Sequence, residues 1–439
     1  MFRISVFFLF LLLNLFAYLA ARRAVVVWVS LPERRHKLLK ALLLALLLIN
    51  IPLGVFFIGP ASSTLNRIPP VVLRIFFYPS TAWLATILFF FIIAGPPALI
   101  VTLARVLARA FVKRPGQAKI DTATAVSAAA PVLSRRRFLA GGPGLLIPGI
   151  YGIAAYGVYG NLDDLEISKE LAVPIPYLPP SLEGMTIVHL SDLHVGPYIR
   201  EKELRRLVSL TNQLRPDLVA ITGDILDRSL ASMPETVRGL SGIESSLGVF
   251  AVLGNHDIYS DPYSFSAQHR GGINIVRGLE SIGIRTLRNQ VIHLGSGRDR
   301  LALLGLDWLN PWSPRGGNFY SYPQAKTKQQ LRFLAAEAGP ETPRVLLAHH
   351  PDTFADALPY EVGLTLAGHT HGGGQVILGS VDGVPIGLGM FRFKYLSGLY
   401  QDQGCSLYVN RGIGYLGIPI RINCPPEISR FRLVRAPVS

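Results

Sequence analysis

Cysteine is scarce: Cys405 and Cys424 are the only two in 439 residues and allow one disulfide at most. No network of bridges can therefore carry this fold, and both positions, in the last strand-rich stretch, read as buried thiols. Acidic residues are nearly missing from the first third, where residues 1–160 hold only Glu33 and Asp121 against 17 Lys or Arg. Beyond residue 160 net charge is what is missing, since 26 basic residues match 26 acidic ones and the whole formal +15 lies upstream. That balance argues against the basic face that nucleic-acid binding needs. No repeat of fixed period is visible.

Apolar sequence is abundant, at 50% of residues with a mean hydropathy of +0.36. It concentrates in runs near 4–20, 39–58 and 82–104, each long enough to span a bilayer, and in a fourth, glycine-richer run near 138–160. The predicted organisation is a transmembrane region over 1–160, a linker over 161–180 and a catalytic domain over 181–439. The loop from Pro115 to Pro131 is rich in Ala, Thr and Ser and reads as a linker of its own.

Basic residues set the orientation. Arg22, Arg23, Arg34, Arg35, Lys37 and Lys40 lie between the first two runs. Arg105, Arg109, Lys113, Arg114, Lys119 and Arg135 to Arg137 lie between the third and fourth, whereas the middle loop has only Arg67 and Arg74. By the positive-inside rule both rich loops are cytoplasmic. Four spans then put the following domain outside, on a multi-pass protein of the cytoplasmic membrane. Ser134-Arg135-Arg136-Arg137-Phe138-Leu139 also has the form of a twin-arginine export signal, which makes that machinery an expected partner; a basic anchor for the fourth helix is the other reading.

Chemistry-bearing residues fall into five short blocks: Asp192-Leu193-His194, Gly223-Asp224, Gly254-Asn255-His256-Asp257, His349-His350 and Gly368-His369-Thr370-His371. Each follows an apolar, β-branched run, as a buried strand would present a side chain at its end. Gly223, Gly254 and Gly368 stand where a backbone without Cβ can turn sharply. Oxygen and imidazole donors of this kind suit Mn, Fe or Zn, and two clusters sharing a carboxylate would hold two ions close together. His36, His189, His269 and His293 fit no block and read as core or surface. Asp227 reads as a turn residue, and Asp307 and Trp308 as an ordinary strand end.

In order and spacing these blocks resemble the calcineurin-like metallophosphoesterase superfamily, over roughly residues 180 to 430. The resemblance implies that Asp192, His194 and His371 hold one ion and Asn255, His349 and His369 the other, with Asp224 bridging. It implies in-line attack of hydroxide on phosphorus, with His256, oriented by Asp257, stabilising the transition state or protonating the leaving group. Strand alternation sends His349 and His350 to opposite sides, so His350 packs or contacts substrate. Arg411 is a further candidate for an anionic substrate group. The stretch Gly372-Gly373-Gly374-Gln375 is one glycine longer than the G-H-T-H-G-G-Q string of the most similar subfamily.

The pattern Glu201 to Leu214, with Leu204, Leu207, Val208 and Leu210, predicts a helix between strands and hence α/β packing. The resemblance refines this to a four-layer α/β/β/α sandwich. The chain's ending, from Leu407 through Arg421 to Pro426, is similar to membrane-associated bacterial phosphoesterases. The expected function is dinuclear metal-dependent hydrolysis of a phosphate ester or pyrophosphate bond, on a small phosphorylated molecule or a lipid- or nucleotide-linked substrate of the UDP-2,3-diacylglucosamine type. Alternatives are a broad phosphodiesterase or nuclease, and a membrane scaffold braced by metals.

Overall fold

The computed structural model describes residues 2–58, 65, 68–111, 135–160, 164–264, 271–297, 299–309, 322–381 and 384–437. His269 and the whole Pro115–Pro131 loop lie outside the described residues. The chain forms two compact units, one of residues 1–59 and 74–159, the other of 60–73 and 160–439.

Leu, Phe and Ile runs without charge favour helix because only a helix satisfies every backbone group internally in an apolar setting. The first unit accordingly consists of helices Phe2–Trp28, Pro32–Ile58, Tyr78–Phe111 and Arg135–Tyr159. Among the described residues three stretches are long and apolar enough to cross a membrane: Phe8–Trp28, Pro32–Gly54 and Pro70–Ile100. Two asparagines and a tryptophan on these helices bond one another. Asn50 donates to the Asn14 side-chain oxygen at 3.0 Å and Trp83 to the same oxygen at 2.8 Å. The last helix, with Pro143 and Pro148 inside it, approaches the first at Gly144, where any Cβ would strike the Ala20 carbonyl and Ala24.

The second unit carries the strands. In chain order they are β1 Glu166–Ile167, β2 Leu171–Ile175, β3 Thr186–Leu190, β4 Leu218–Thr222, β5 Val249–Val252, β6 Ile284–Thr286, β7 Gln290–Ser296 and β8 Asp299–Gly305. There follow β9 Arg344–Leu347, β10 Leu364–Ala367, β11 Ile377–Val381, β12 Val384–Gly387, β13 Gly398–Asp402, β14 Cys405–Val409 and β15 Glu427–Arg435. One sheet runs β1-β15-β3-β4-β5-β6 with β2 also on β15; the other runs β13-β14-β10-β9-β8-β7. Their central strands, β3 to β6 and β8, β9, β10 and β14, are parallel within each sheet.

The stretch read as a linker over 161–180 therefore contributes two strands. Leu171, Val173 and Ile175 alternate with small or exposed residues, and Pro174 is accommodated because β2 lies at the side of the sheet, where no further strand needs its missing N–H.

Ile187, Ala220 and Val252 from the first sheet and Leu303, Val345 and Leu366 from the second share one buried core. Each fully buried aliphatic side chain contributes about 1.5–3 kcal/mol. A second cluster packs Leu331, Leu334 and Ala338 of helix Gln324–Ala338 onto Leu304 and Leu346. Helix Glu201–Gln213 forms where its periodicity predicts, with Leu204, Leu207 and Val208 buried and Leu210 half-buried. Cys405 and Cys424 are both buried and unbridged.

Candidate metal centre

The parallel strands of both sheets end at one place, and the five blocks follow those ends. Asp192 and His194 come after β3, Asp224 after β4, Asn255 after β5, His349 after β9 and His369 and His371 after β10. Open α/β sheets place ligands beyond the carboxyl ends of such strands. Five of these residues hold left-handed backbone: Asp192, His194, Asp224, His369 and His371, with φ of 50°, 44°, 49°, 72° and 50°. Left-handed φ costs a non-glycine residue about 1–3 kcal/mol and persists where the surroundings over-determine it. Two glycines make room: a Cβ at Gly254 would strike the Asp224 carboxylate, and one at Gly368 would strike Asp192 and Ser191.

Two clusters meet at Asp224. In the first, His194 Nε2 lies 3.0 Å from His371 Nε2, which is 3.4 Å from Asp192 Oδ1. In the second, His349 Nε2 lies 3.2 Å from His369 Nδ1. Asp224 Oδ1 accepts the His256 backbone N–H at 2.8 Å, which leaves Oδ2 turned to both clusters, 3.7 Å from His194 Nε2 and 3.2 Å from His349 Nε2. His349 Nδ1 donates to the Thr222 carbonyl at 2.7 Å, so its Nε2 is the atom offered inward.

This donor set fits two divalent cations. Asn255 Oδ1 is buried with no hydrogen-bond partner, and pairs of imidazole nitrogens stand about 3 Å apart around a shared carboxylate. Burial alone would raise the Asp224 carboxyl, but His349 and His256 outweigh it and hold it well below the ordinary range. Burial opposes charge on His349 too, yet Asp224 and Asp192 push it up to about 9. Burial pushes His369 and His371 well below the ordinary histidine value.

Other predicted residues sit differently from expectation. Asp257 does not orient His256: its carboxylate accepts the backbone N–H groups of Gly254, Ile225 and Leu226 at 2.9 Å each, tying the turn after β5 to the one after β4. Its burial raises the carboxyl to about 7. His256 is held instead by Asp227, through Nδ1 to the Asp227 carbonyl at 2.5 Å, with the Asp227 carboxylate 3.7 Å from the same nitrogen and 3.6 Å from His194 Nδ1. His350 is buried among Tyr322, His369, Phe393 and Trp308, with ring centroids 4.9, 4.8, 6.1 and 6.2 Å away, and it lines a small cavity together with Trp308, Tyr322 and His349. Arg411 is already engaged, bonding Glu427 at 2.6 Å and Glu166 at 2.9 Å.

Several participants carried no signal in single positions. Asp227 lies three residues after Asp224, a spacing that a turn brings back to the same site. Trp308 covers His349 and His369, with centroids 5.9 and 5.6 Å away. Behind Asp192 runs a buried relay: His189 Nε2 to Thr222 Oγ1 at 2.7 Å, Thr222 to Ser191 Oγ at 2.8 Å and Ser191 to Asp192 Oδ2 at 2.6 Å. Because an ionised carboxylate only accepts, Ser191 donates, Thr222 donates to Ser191, and His189 carries its proton on Nε2. Arg421, fully buried, donates to the carbonyls of Arg411, Gly412, Gly414 and Cys424. That braces a loop bonded to Ser191 and Asp192 through the N–H groups of Ile413 and Gly414. The extra glycine of the Gly372–Gly374 stretch is taken up by three successive positive φ angles, 66°, 89° and 100°.

Comparison with known proteins identifies the family. The profile of the calcineurin-like phosphoesterase family matches residues 185–373. The chain is 31% identical over 291 residues to a transmembrane protein with metallophosphoesterase domain from Danio rerio, covering 64% of this chain and 61% of that one. It is 30% identical over 314 residues to the uncharacterized metallophosphoesterase YkuE of Bacillus subtilis (strain 168), covering 69% of this chain and 98% of the relative. The match spans about three fifths of the length of the vertebrate transmembrane relatives, 61% in zebrafish and 56% in Bos taurus. A solved dimetal phosphatase from Danio rerio aligns with a TM-score of 0.33 at 14% identity, over 52% of this chain and 88% of that one.

Proposed function

Because the chain belongs to the calcineurin-like metallophosphoesterases, we propose that it hydrolyses phosphoester or pyrophosphate bonds at a dinuclear centre held by Asp192, His194, Asp224, Asn255, His349, His369 and His371. The observation that carries this is Asp224 Oδ2 standing within 4 Å of both histidine clusters while Oδ1 is taken by the His256 N–H. Two divalent ions there would neutralise phosphoryl oxygens and lower the pKa of a water enough to make it a nucleophile near neutral pH. Mn, Fe and Zn all suit these donors.

The chain's own residues do the rest. His256, with its Nδ1–H donated to the Asp227 carbonyl, has Nε2 left for the reaction; in the cationic ring, whose charge the Asp227 carboxylate 3.7 Å away would balance, Nε2–H would stabilise the transition state or protonate the leaving oxygen. Asp257 and the left-handed turns hold the donors in place before substrate arrives, which reduces reorganisation during the reaction. We read the two sheets with helices outside them as the four-layer α/β/β/α arrangement, and Arg135–Tyr159 as a fourth membrane span. The basic loops support an orientation with this domain on the extracytoplasmic side of the cytoplasmic membrane. The arginine triplet at 135–137 suits export by the twin-arginine machinery. A membrane-tied phosphoesterase favours lipid-linked or nucleotide-linked substrates.

The test is turnover of bis-p-nitrophenyl phosphate and p-nitrophenyl phosphate by the full chain in detergent, with chelator and then Mn added back. Chelator-sensitive activity restored by Mn and lost in Asp224→Asn supports the reading. A folded, metal-loaded protein inert on both substrates counts against it.

A further inference from the structure

Strands β11 and β12 pair only with each other. Their register runs from Ile377 opposite Gly387 to Val381 opposite Val384, and Leu378 to Val381 are exposed on both faces of the ribbon. A two-stranded ribbon outside both sheets is marginal in water; Pro385 and Gly387 of β12 are buried at its base, while β11 beyond Ile377 is open. Its apolar side chains stand out. Leu378 is 66% exposed, Val381 60%, and on the turn that follows Met390 is 50% and Phe391 85% exposed. Single exposed apolar residues are ordinary, but four on one projection are a patch. Two exposed basic residues follow directly, Arg392 and Lys394.

The base of this projection is part of the metal centre. Gly373, two residues after His371, packs so closely on Gly387 and Gly389 that a Cβ at either would collide with it. The Phe393 ring lies 5.3 Å from the His369 ring, and the Thr370 hydroxyl donates to the Leu396 carbonyl. The ribbon therefore leaves the site within a few residues of two ligand histidines.

We propose that this projection seats on a phospholipid bilayer, with Leu378, Val381, Met390 and Phe391 at the level of the acyl boundary and Arg392 and Lys394 among anionic headgroups. Two features select that occupant. The chain itself carries three membrane-length helices, so a bilayer is tethered to every molecule and contact with it is intramolecular. Large apolar side chains flanked by cations are the interfacial pattern, and this pair lies in a region with no net charge overall. Resting on the phosphoesterase reading above, the same contact names the substrate class: an amphiphilic phosphoester whose headgroup lies at the lipid surface and whose tail stays in it.

The test uses the full chain in phosphatidylcholine–phosphatidylglycerol nanodiscs, with a thiol-reactive fluorophore at Phe391→Cys and, as control, at Phe333→Cys on helix Gln324–Ala338. The native cysteines are buried and do not compete. Quenching of the label at 391 by doxyl lipids, with shielding from aqueous iodide and the reverse at 333, supports docking. Iodide access at 391 without lipid quenching overturns it, as does shielding from both, which would mean a protein partner. The substrate class is read separately. In Met390→Ser/Phe391→Ser, KM for a long-chain alkyl p-nitrophenyl phosphodiester should rise several-fold at unchanged kcat, with bis-p-nitrophenyl phosphate unaffected. An unchanged KM overturns the substrate clause. A wild type inert on both esters overturns the phosphoesterase reading and leaves the quenching result standing.

Discussion

The two units bury polar groups in opposite ways. In the helical unit they are few and bond locally or to one another: Ser80, Thr81 and Thr86 donate to carbonyls one turn back, and Asn50 and Trp83 donate to Asn14. In the metallophosphoesterase unit they are crowded at the end of two sheets, several without hydrogen-bond partners, on backbone held at positive φ. Helix in an apolar run satisfies itself, so such a region tolerates change. A metal centre stores strain and unmet bonding capacity that the ions take up, so it does not.

Substitutions at the centre should mark that contrast most strongly. Asp224→Ala removes the oxygen common to both clusters, and both metal content and turnover of bis-p-nitrophenyl phosphate should collapse. His256→Ala should leave metal content near two by elemental analysis while kcat falls by about 10²–10⁴-fold, the usual size of a general acid–base contribution. Equal loss of metal in both variants would erase the division between ligands and proton donor.

Asp257→Ala tests the brace between turns. It strands three buried N–H groups, each costing about 1–3 kcal/mol, so thermal unfolding should move down by well over the shift seen for a surface control. The relay behind Asp192 should matter less. Ser191→Ala should weaken metal affinity by about 10–100-fold, as outer-shell losses commonly do, and a competition titration against a chelator measures it. His189→Gln keeps a donor in the relay and should retain most of that affinity.

pH sharpens the comparison further. Burial holds His189 down to about 3, below its unfolded value of about 6.5. The unfolded chain then takes up a proton that the folded one refuses, so stability falls as pH drops from about 6.5 towards about 3. Acid unfolding of His189→Gln should lack that component and reach its midpoint at lower pH than wild type. The smallest effect belongs to the helical unit. Asn14→Leu should cost about 0.6 kcal/mol, read as a slight change in thermal unfolding of the full chain in detergent; a loss as large as that of Asp257→Ala would break the contrast.

Much of the centre was legible before any geometry. Asp192, His194, Asp224, Asn255, His349, His369 and His371 follow apolar strand runs, but His349 and His350 come after β9 has ended, and strand alternation does not part them: both rings lie beside His369, 4.9 and 4.8 Å away. The roles of Asp257 and Asp227 were not legible. Both are aspartates near turns, and only the return of the chain after β4 decides which carboxylate meets the His256 ring and which caps N–H groups. Arg411 looked available because Glu166 and Glu427, 245 and 16 residues away in sequence, give no local sign of pairing with it.

Composition and order by themselves determined the membrane-length helices, the charge asymmetry and the donor types, because each depends on local solubility, backbone hydrogen bonding or ligand chemistry. Tertiary structure alone decided the shared Asp224 oxygen, the left-handed turns, the relay through Ser191 and the ribbon outside both sheets. These are relations between segments far apart in the chain, and only the packing of two sheets over one core, with their strand ends together, brings their atoms within bonding distance.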